Sequence, residues 1–135
     1  LADLLAQLDP VVYVLDCLPN MNAQAVSQRV EPFVHRLRKS RPQTPILLVE
    51  DRSYADSFLV TSKRKRNQDS RQALKAAWTN LKQAGVTGLH YLEGKGLLGE
   101  DGEATVDSSH PTDLGFVRQA EAFARVLGPI LSERK

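Results

Sequence analysis

A single cysteine, Cys17, stands among the 135 residues, so no internal disulfide framework can form. No apolar run approaches the roughly 18 residues that a membrane-spanning helix needs, and no signal-peptide pattern is visible. Neither sign of charge dominates. The chain carries 18 Lys and Arg against 16 Asp and Glu, a net charge of +2, which by itself gives no reason to expect a nucleic-acid partner. No second histidine or cysteine stands near His110 in sequence to complete a typical metal set with Asp107 and Asp113. The Gly-x-Ser-x-Gly elbow and a Gly-Asp-Ser sequence are both missing, so no serine is offered by a recognisable nucleophile turn. There is no repeat and no low-complexity segment. What is present is a hydrophobic content of 41%, enough for one modest core.

The apolar residues are ordered as alternating helices and strands. Leu1, Leu4, Leu5 and Leu8 fall at helical spacing, and Asp9-Pro10 stops that helix. Val11 to Leu15 is a short continuous apolar run that suits a strand buried on both faces. A helix is expected from Asn22 to Lys39, with Asn22 as its N-cap and Pro32 kinking or splitting it. Ile46 to Val49 reads as a second buried strand, followed by Glu50-Asp51-Arg52. Ser53 to Arg66 has no clear period and is expected to be a loop bordering the pocket. A helix from about Asn67 to Ala84 carries Leu74, Ala77, Trp78 and Leu81 on one side, with Gly85 as its C-terminal cap. Thr87 to Leu92 is the third strand, and Asp101-Gly102 a tight turn in the loop that follows. The last helix spans about Pro111 to Leu127, ended or interrupted by Gly128-Pro129. Such alternation predicts an α/β fold with a parallel sheet and helices on both faces. Ligands in such sheets bind outside the carboxyl ends of the strands, which gathers Asp16 to Asn20, Glu50 to Arg52 and Asp107 to His110 at one edge.

Of these, Asp107-Ser108-Ser109-His110-Pro111 carries the most chemistry. A carboxylate three residues before a histidine can hold the imidazole in one tautomer and stabilise the imidazolium formed when it takes a proton. The same residues also fit a polar loop that caps a helix. Asn20 has a side-chain amide able to donate to an oxyanion, or it is a turn residue after Pro19. Cys17 reads as a small buried apolar residue more readily than as a thiol nucleophile. Lys63-Arg64-Lys65-Arg66 reads as the solvated lead-in to a helix, with an anionic ligand as the sharper alternative. His35 falls on a helix surface and His90 on a strand. Ser108 and Ser109 lie too close in sequence to the acid and histidine for the usual attack geometry, and Ser53 and Ser57 lack a glycine-lined turn.

The segment Asp107 to Phe116, with its Asp-x-x-His-Pro block and following Leu-Gly-Phe, resembles the last conserved block of the SGNH hydrolases, the GDSL esterases and lipases. Asp16-Cys17-Leu18-Pro19-Asn20-Met21 is similar to their asparagine block in the bacterial esterase subgroup, and Glu50-Asp51-Arg52 fits that subgroup's pattern. The resemblance covers essentially the whole chain. It implies a flavodoxin-like three-layer α/β/α fold and ester hydrolysis by Ser-His-Asp chemistry, without metal or cofactor. His110 would be the general base, Asp107 its orienting acid and Asn20 an oxyanion-hole donor. The family's serine block and oxyanion glycine match nothing here, and the resemblance puts them upstream of Leu1 with a strand and a helix. The chain then reads as the C-terminal portion of one domain. Alone it is expected to be inactive and to depend on pairing with that segment, or on oligomerisation, to cover an apolar sheet edge. The implied substrates are small-molecule or carbohydrate esters, acetylated carbohydrates included. The competing reading is a non-catalytic α/β binding domain, either a degenerate hydrolase or a receiver-like module. In a receiver Asp16 would mimic the acceptor, but no lysine follows a strand in the required way.

Overall fold

The computed structural model describes residues 1–132. In chain order it contains α1 (Ala2–Leu5), β1 (Tyr13–Leu15), a single 3-10 turn (Leu18–Asn20), α2 (Ala23–Ser40), β2 (Ile46–Val49), α3 (Thr61–Gln83), β3 (Leu89–Leu92) and α4 (Asp113–Ser132). The three strands form one parallel sheet in the order β1-β2-β3. This is the expected α/β architecture.

Alternation along β2 explains the layers. Successive side chains of a strand point to opposite faces. Ile46 and Leu48 join Val26, Val30, Val34 and Leu37 of α2 and Leu74, Ala77 and Leu81 of α3 in the larger core. Leu47 and Val49 face the other way, onto Leu97 and the α4 residues Ala122, Phe123, Val126 and Leu127. The central strand is therefore buried throughout. β1 differs from expectation. It is shorter than the apolar run, and Val14 is 39% exposed although its register partner Leu47 is fully buried. The reason is position: β1 lies at a sheet edge, and its second face has no helix over it among the described residues.

Helix ends follow local chemistry. The Asn22 side chain accepts the N–H of Ala25 at 2.8 Å, the predicted N-cap. α3 ends in the predicted glycine. Gly85 takes a φ of 79°, its N–H reaches the carbonyl of Lys82, and the N–H of Val86 reaches that of Leu81, the paired bonds of a Schellman ending. The two prolines behave otherwise than expected. α2 runs unbroken from Ala23 to Ser40 past Pro32, and α4 continues past Gly128-Pro129 to Ser132. Both prolines sit on exposed faces, where water can take the carbonyl freed one turn earlier.

The largest correction concerns α3, which begins at Thr61, six residues ahead of the expected Asn67. Its first turns carry no apolar period. Yet Lys63, Arg66, Asn67, Ser70 and Arg71 repeat at helical spacing and run into Leu74, Ala77 and Leu81 on the same face. The stripe is continuous. Its first half is polar because it packs against the carboxyl edge of the sheet instead of its middle.

Candidate active site

Three segments leave the carboxyl ends of the strands toward the same edge. After β1 the chain tightens into the 3-10 turn Leu18–Asn20, anchored by the fully buried Leu18. Asn20 is exposed. Its side-chain amide has no hydrogen-bond partner among the described residues, so it is available to a ligand. Cys17 precedes the turn and is exposed, not the buried apolar residue expected, because it sits at the end of an edge strand. Desolvation by the surrounding protein, then the neighbouring Asp16, push its thiol pKa up, which suppresses the thiolate a nucleophile needs.

After β2 come Glu50, Asp51 and Arg52. Glu50 is nearly buried and ties two strand ends together: it accepts the Tyr91 hydroxyl at 2.6 Å and the Gly94 N–H at 2.8 Å. Burial, and then the bond to Glu50, push the Tyr91 hydroxyl pKa strongly upward, so the phenol stays protonated as the donor. Gly94 has no room for a side chain, since a Cβ there would lie 2.0 Å from the Asp51 carbonyl oxygen. Asp51 is 3% exposed and accepts from Arg66 at 2.8 Å and from Asn67 at 3.0 Å. Burial raises its pKa against the opposing pull of Arg66, Arg52 and Arg71.

The loop that follows β3 brings in Asp107 and His110. One carboxylate oxygen of Asp107 accepts the backbone N–H groups of Ser109 at 3.0 Å and His110 at 2.8 Å. The other lies 2.7 Å from Nδ1 of His110. A carboxylate facing Nδ1 selects the tautomer with the proton on that nitrogen, which leaves Nε2 with a free lone pair. Nε2 has no partner among the described residues, and the ring is 75% exposed. The His110 N–H, the His110 ring and the Ser109 N–H hold the Asp107 carboxyl well below the usual carboxylate range. The local fold forces the arrangement. Ser108 has a φ of 73°, its carbonyl accepts the Ala55 N–H at 2.9 Å, and its hydroxyl accepts from Lys63 at 2.7 Å. Lys63 is paired in turn with Asp56 at 2.6 Å. Thr105 and Pro111 bridge the loop's two ends, and Val106 N–H reaches the carbonyl of His110. Gly115 lets α4 start close behind, because a Cβ there would lie 2.3 Å from the Ala104 carbonyl oxygen.

The sequence-predicted pair thus forms, and Asn20 stands on the same sheet edge. None of the described serine hydroxyls bonds to His110: Ser108 is held by Lys63, Ser53 by Arg71, and Ser70 bonds the Met21 carbonyl. Sequence reasoning missed Lys63, Arg66, Asn67 and Arg71, which bind this edge together, and took the first two as solvated. Their helical spacing was the available signal. A cleft of about 230 Å³ opens beside the histidine loop, between residues 53–57 and the glycine-rich segment 95–105. Of the segment Ser53 to Arg66, expected as a loop bordering the pocket, only the non-helical first part lines this cleft, and Thr61 onward is helix. Among the described residues no cluster suits a metal ion, and no helix is long and apolar enough to cross a membrane.

The family model of the GDSL-like lipase/acylhydrolase family matches residues 1–128. The chain belongs to that family. A Bacteroides ovatus crystal structure, solved as a presumed GDSL-like lipase, superposes with a TM-score of 0.93 at 30% identity. The match covers 97% of this chain and 39% of that one. The salicylyl-acyltransferase SsfX3 from a tetracycline biosynthetic pathway shares the fold, with a TM-score of 0.72, 20% identity, and coverage of 96% and 40%. The chain spans about two-fifths of the length of either structure. No curated protein matches the sequence.

Proposed function

We propose that this chain supplies the histidine, the acid and one oxyanion donor of a GDSL-type serine esterase. The observation that carries the reading is the bond between Asp107 and His110 Nδ1 at 2.7 Å, with Nε2 left open. In this reading Nε2 takes the proton from a serine hydroxyl as that oxygen attacks the ester carbonyl. The imidazolium then returns the proton to the leaving alcohol, and the cycle repeats with water on the acyl-enzyme. Asp107 stays ionised throughout and stabilises the imidazolium. Asn20 donates its amide N–H to the tetrahedral oxyanion, where charge develops only in the transition state.

The serine comes from a segment outside these residues. Two facts support this: no described serine hydroxyl bonds to His110, and the solved structures this chain matches are much longer. Without that serine the 135 residues hydrolyse nothing at a useful rate. The substrates we favour are small acyl esters, with acetylated carbohydrates first. The cleft beside the histidine loop has a volume of about 230 Å³ and a mixed lining, in which Ser53, Tyr54, Ser57 and Thr105 offer hydroxyl groups and Ala55, Leu98 and Ala104 offer apolar surface, room for a small ester with a polar alcohol.

Intact-mass spectrometry of the full-length protein with a fluorophosphonate probe tests the reading. One adduct on a serine outside residues 1–135, abolished by His110→Ala, is the expected result. No adduct on a folded protein points to a binding domain, and an adduct on a serine of this chain refutes the division of residues described above.

A further inference from the structure

The 3-10 turn that bears Asn20 and the loop that bears His110 lie outside the strands, and the sheet ladder does not hold either of them. Beyond its own local turn and loop bonds, each is tied to the rest of the edge by an arginine at one backbone carbonyl. Arg66 Nη2 donates to the Pro19 carbonyl at 2.7 Å, and Arg52 Nε donates to the Ser109 carbonyl at 2.8 Å. Those carbonyls belong to the residues immediately before Asn20 and His110. A peptide unit is planar and contains the Cα of the residue that follows it. Fixing the Pro19 carbonyl therefore fixes the Cα of Asn20, and fixing the Ser109 carbonyl fixes that of His110.

Both arginines connect to the buried Asp51–Asn67 pair, Arg66 through its guanidinium and Arg52 through its backbone carbonyl. The second arm of the Arg66 guanidinium, Nη1, lies 2.8 Å from Asp51 Oδ2. Asn67 Nδ2 reaches that same oxygen and also the carbonyl of Arg52, each at 3.0 Å. Arg71 clamps the Asp51 carbonyl through Nε at 2.9 Å and Nη2 at 2.7 Å. Asp51 and Asn67 are each 3% exposed, so solvent hardly competes for these bonds.

We propose that Arg52 and Arg66 are positioning residues that hold His110 and Asn20 at one fixed separation, with the Asp51–Asn67 pair as their shared anchor. This rests on the reading that His110 and Asn20 act in ester hydrolysis. The two arginines touch no reacting atom and act through peptide planes. They differ in what they demand of a replacement. Arg66 serves two acceptors from two arms of one rigid plane, which a lysine cannot reproduce. Arg52 uses a single donor, so a lysine can stand in for it.

The test is made on the full-length protein with Arg52→Met, Arg52→Lys, Arg66→Met and Arg66→Lys. Two quantities are measured: amide hydrogen exchange over 17–22 and 105–112, and kcat and KM on an aryl acetate. Arg66→Met and Arg66→Lys are both expected to speed exchange over 17–22. Arg52→Met is expected to speed it over 105–112, and Arg52→Lys to restore most of the protection. Misplacing a reacting group by about an ångström lowers kcat by about tenfold to a hundredfold while KM changes little. Lysine rescue at both positions would overturn the proposal in favour of a charge effect. Unchanged exchange in both segments, or a loss confined to KM, would also overturn it. Should Arg66→Met fail to fold, the milder Arg66→Lys and the half-buried Arg52 still decide. If exchange responds while His110→Ala keeps full activity, the positioning stands and the esterase reading fails.

Discussion

One oxygen of Asp107 faces Nδ1 of His110 at 2.7 Å while the other receives the backbone N–H of the same residue at 2.8 Å. The carboxylate therefore fixes both the ring and the peptide of its partner. Three donors satisfy it, which is why its pKa lies so low. A helix-capping role alone would account for the backbone bonds and leave the ring bond unexplained.

Asp107→Asn keeps the shape and the backbone acceptor but removes the charge opposite Nδ1. An amide there lets the ring adopt the wrong tautomer. The expected loss in kcat is about 10⁴-fold, with the protein folded, as followed by aryl acetate hydrolysis in the full-length protein. A loss below about tenfold would leave Asp107 as a loop residue only.

Asn20→Ala is expected to lower kcat by about 10² to 10³-fold with little change in KM, the mark of a donor that acts on the oxyanion. An effect on KM alone would reassign Asn20 to ground-state binding.

The acids titrate in opposite directions. Asp107 and Asp101 are held below the ordinary value of 3.8, Asp107 by the His110 and Ser109 donors and Asp101 by Arg118 and the Glu103 N–H. Their contribution to stability is complete above 3.8 and fades as pH falls through their folded values. Asp51 and Asp16 are raised from 3.8, chiefly by burial, so their folded state favours the protonated form and the benefit is lost as pH rises through the folded values. Carbon-13 titration of the carboxyl groups should put the first pair below 3.8 and the second pair above it. A titration of Asp107 at or above 3.8 would mean that the loop bonds do not persist in solution.

Gly115→Ala places a methyl group 2.3 Å from the Ala104 carbonyl oxygen and 2.9 Å from Pro111 Cβ. Backbone on one side and a proline ring on the other leave little give. The expected cost is about 1–3 kcal/mol in unfolding free energy, read by denaturant titration, together with a lower kcat because the Ala104–Thr112 segment brackets His110. Wild-type stability and rate would show that α4 can shift freely.

Much of this was legible in the sequence, and the misses share a cause. β2 and the apolar half of α3 followed from hydrophobic period, and Asn22 and Gly85 from cap chemistry. Asp107 and His110 are three residues apart, so their pairing depended on one local loop. Arg66 and Asp51 meet only when α3 packs on the end of β2, and Arg52 and Ser109 only when the loop after β3 folds back over that same end. Lys63 to Arg71 repeat with helical period, but in polar residues. A reading keyed to apolar periodicity stops where the helix face turns from core to site. The exposure of Cys17 and Val14 depends on β1 lying at an edge, which a local apolar run does not encode.

The most direct measurement is the steady-state hydrolysis of an acetyl ester by the full-length protein and its His110→Ala variant, with matched circular dichroism to establish that both are folded. Measurable turnover is expected in the wild type and a fall of several powers of ten in His110→Ala, on the order of 10⁶-fold where the triad acts as a unit. Equal rates for the two proteins would contradict a catalytic role for His110.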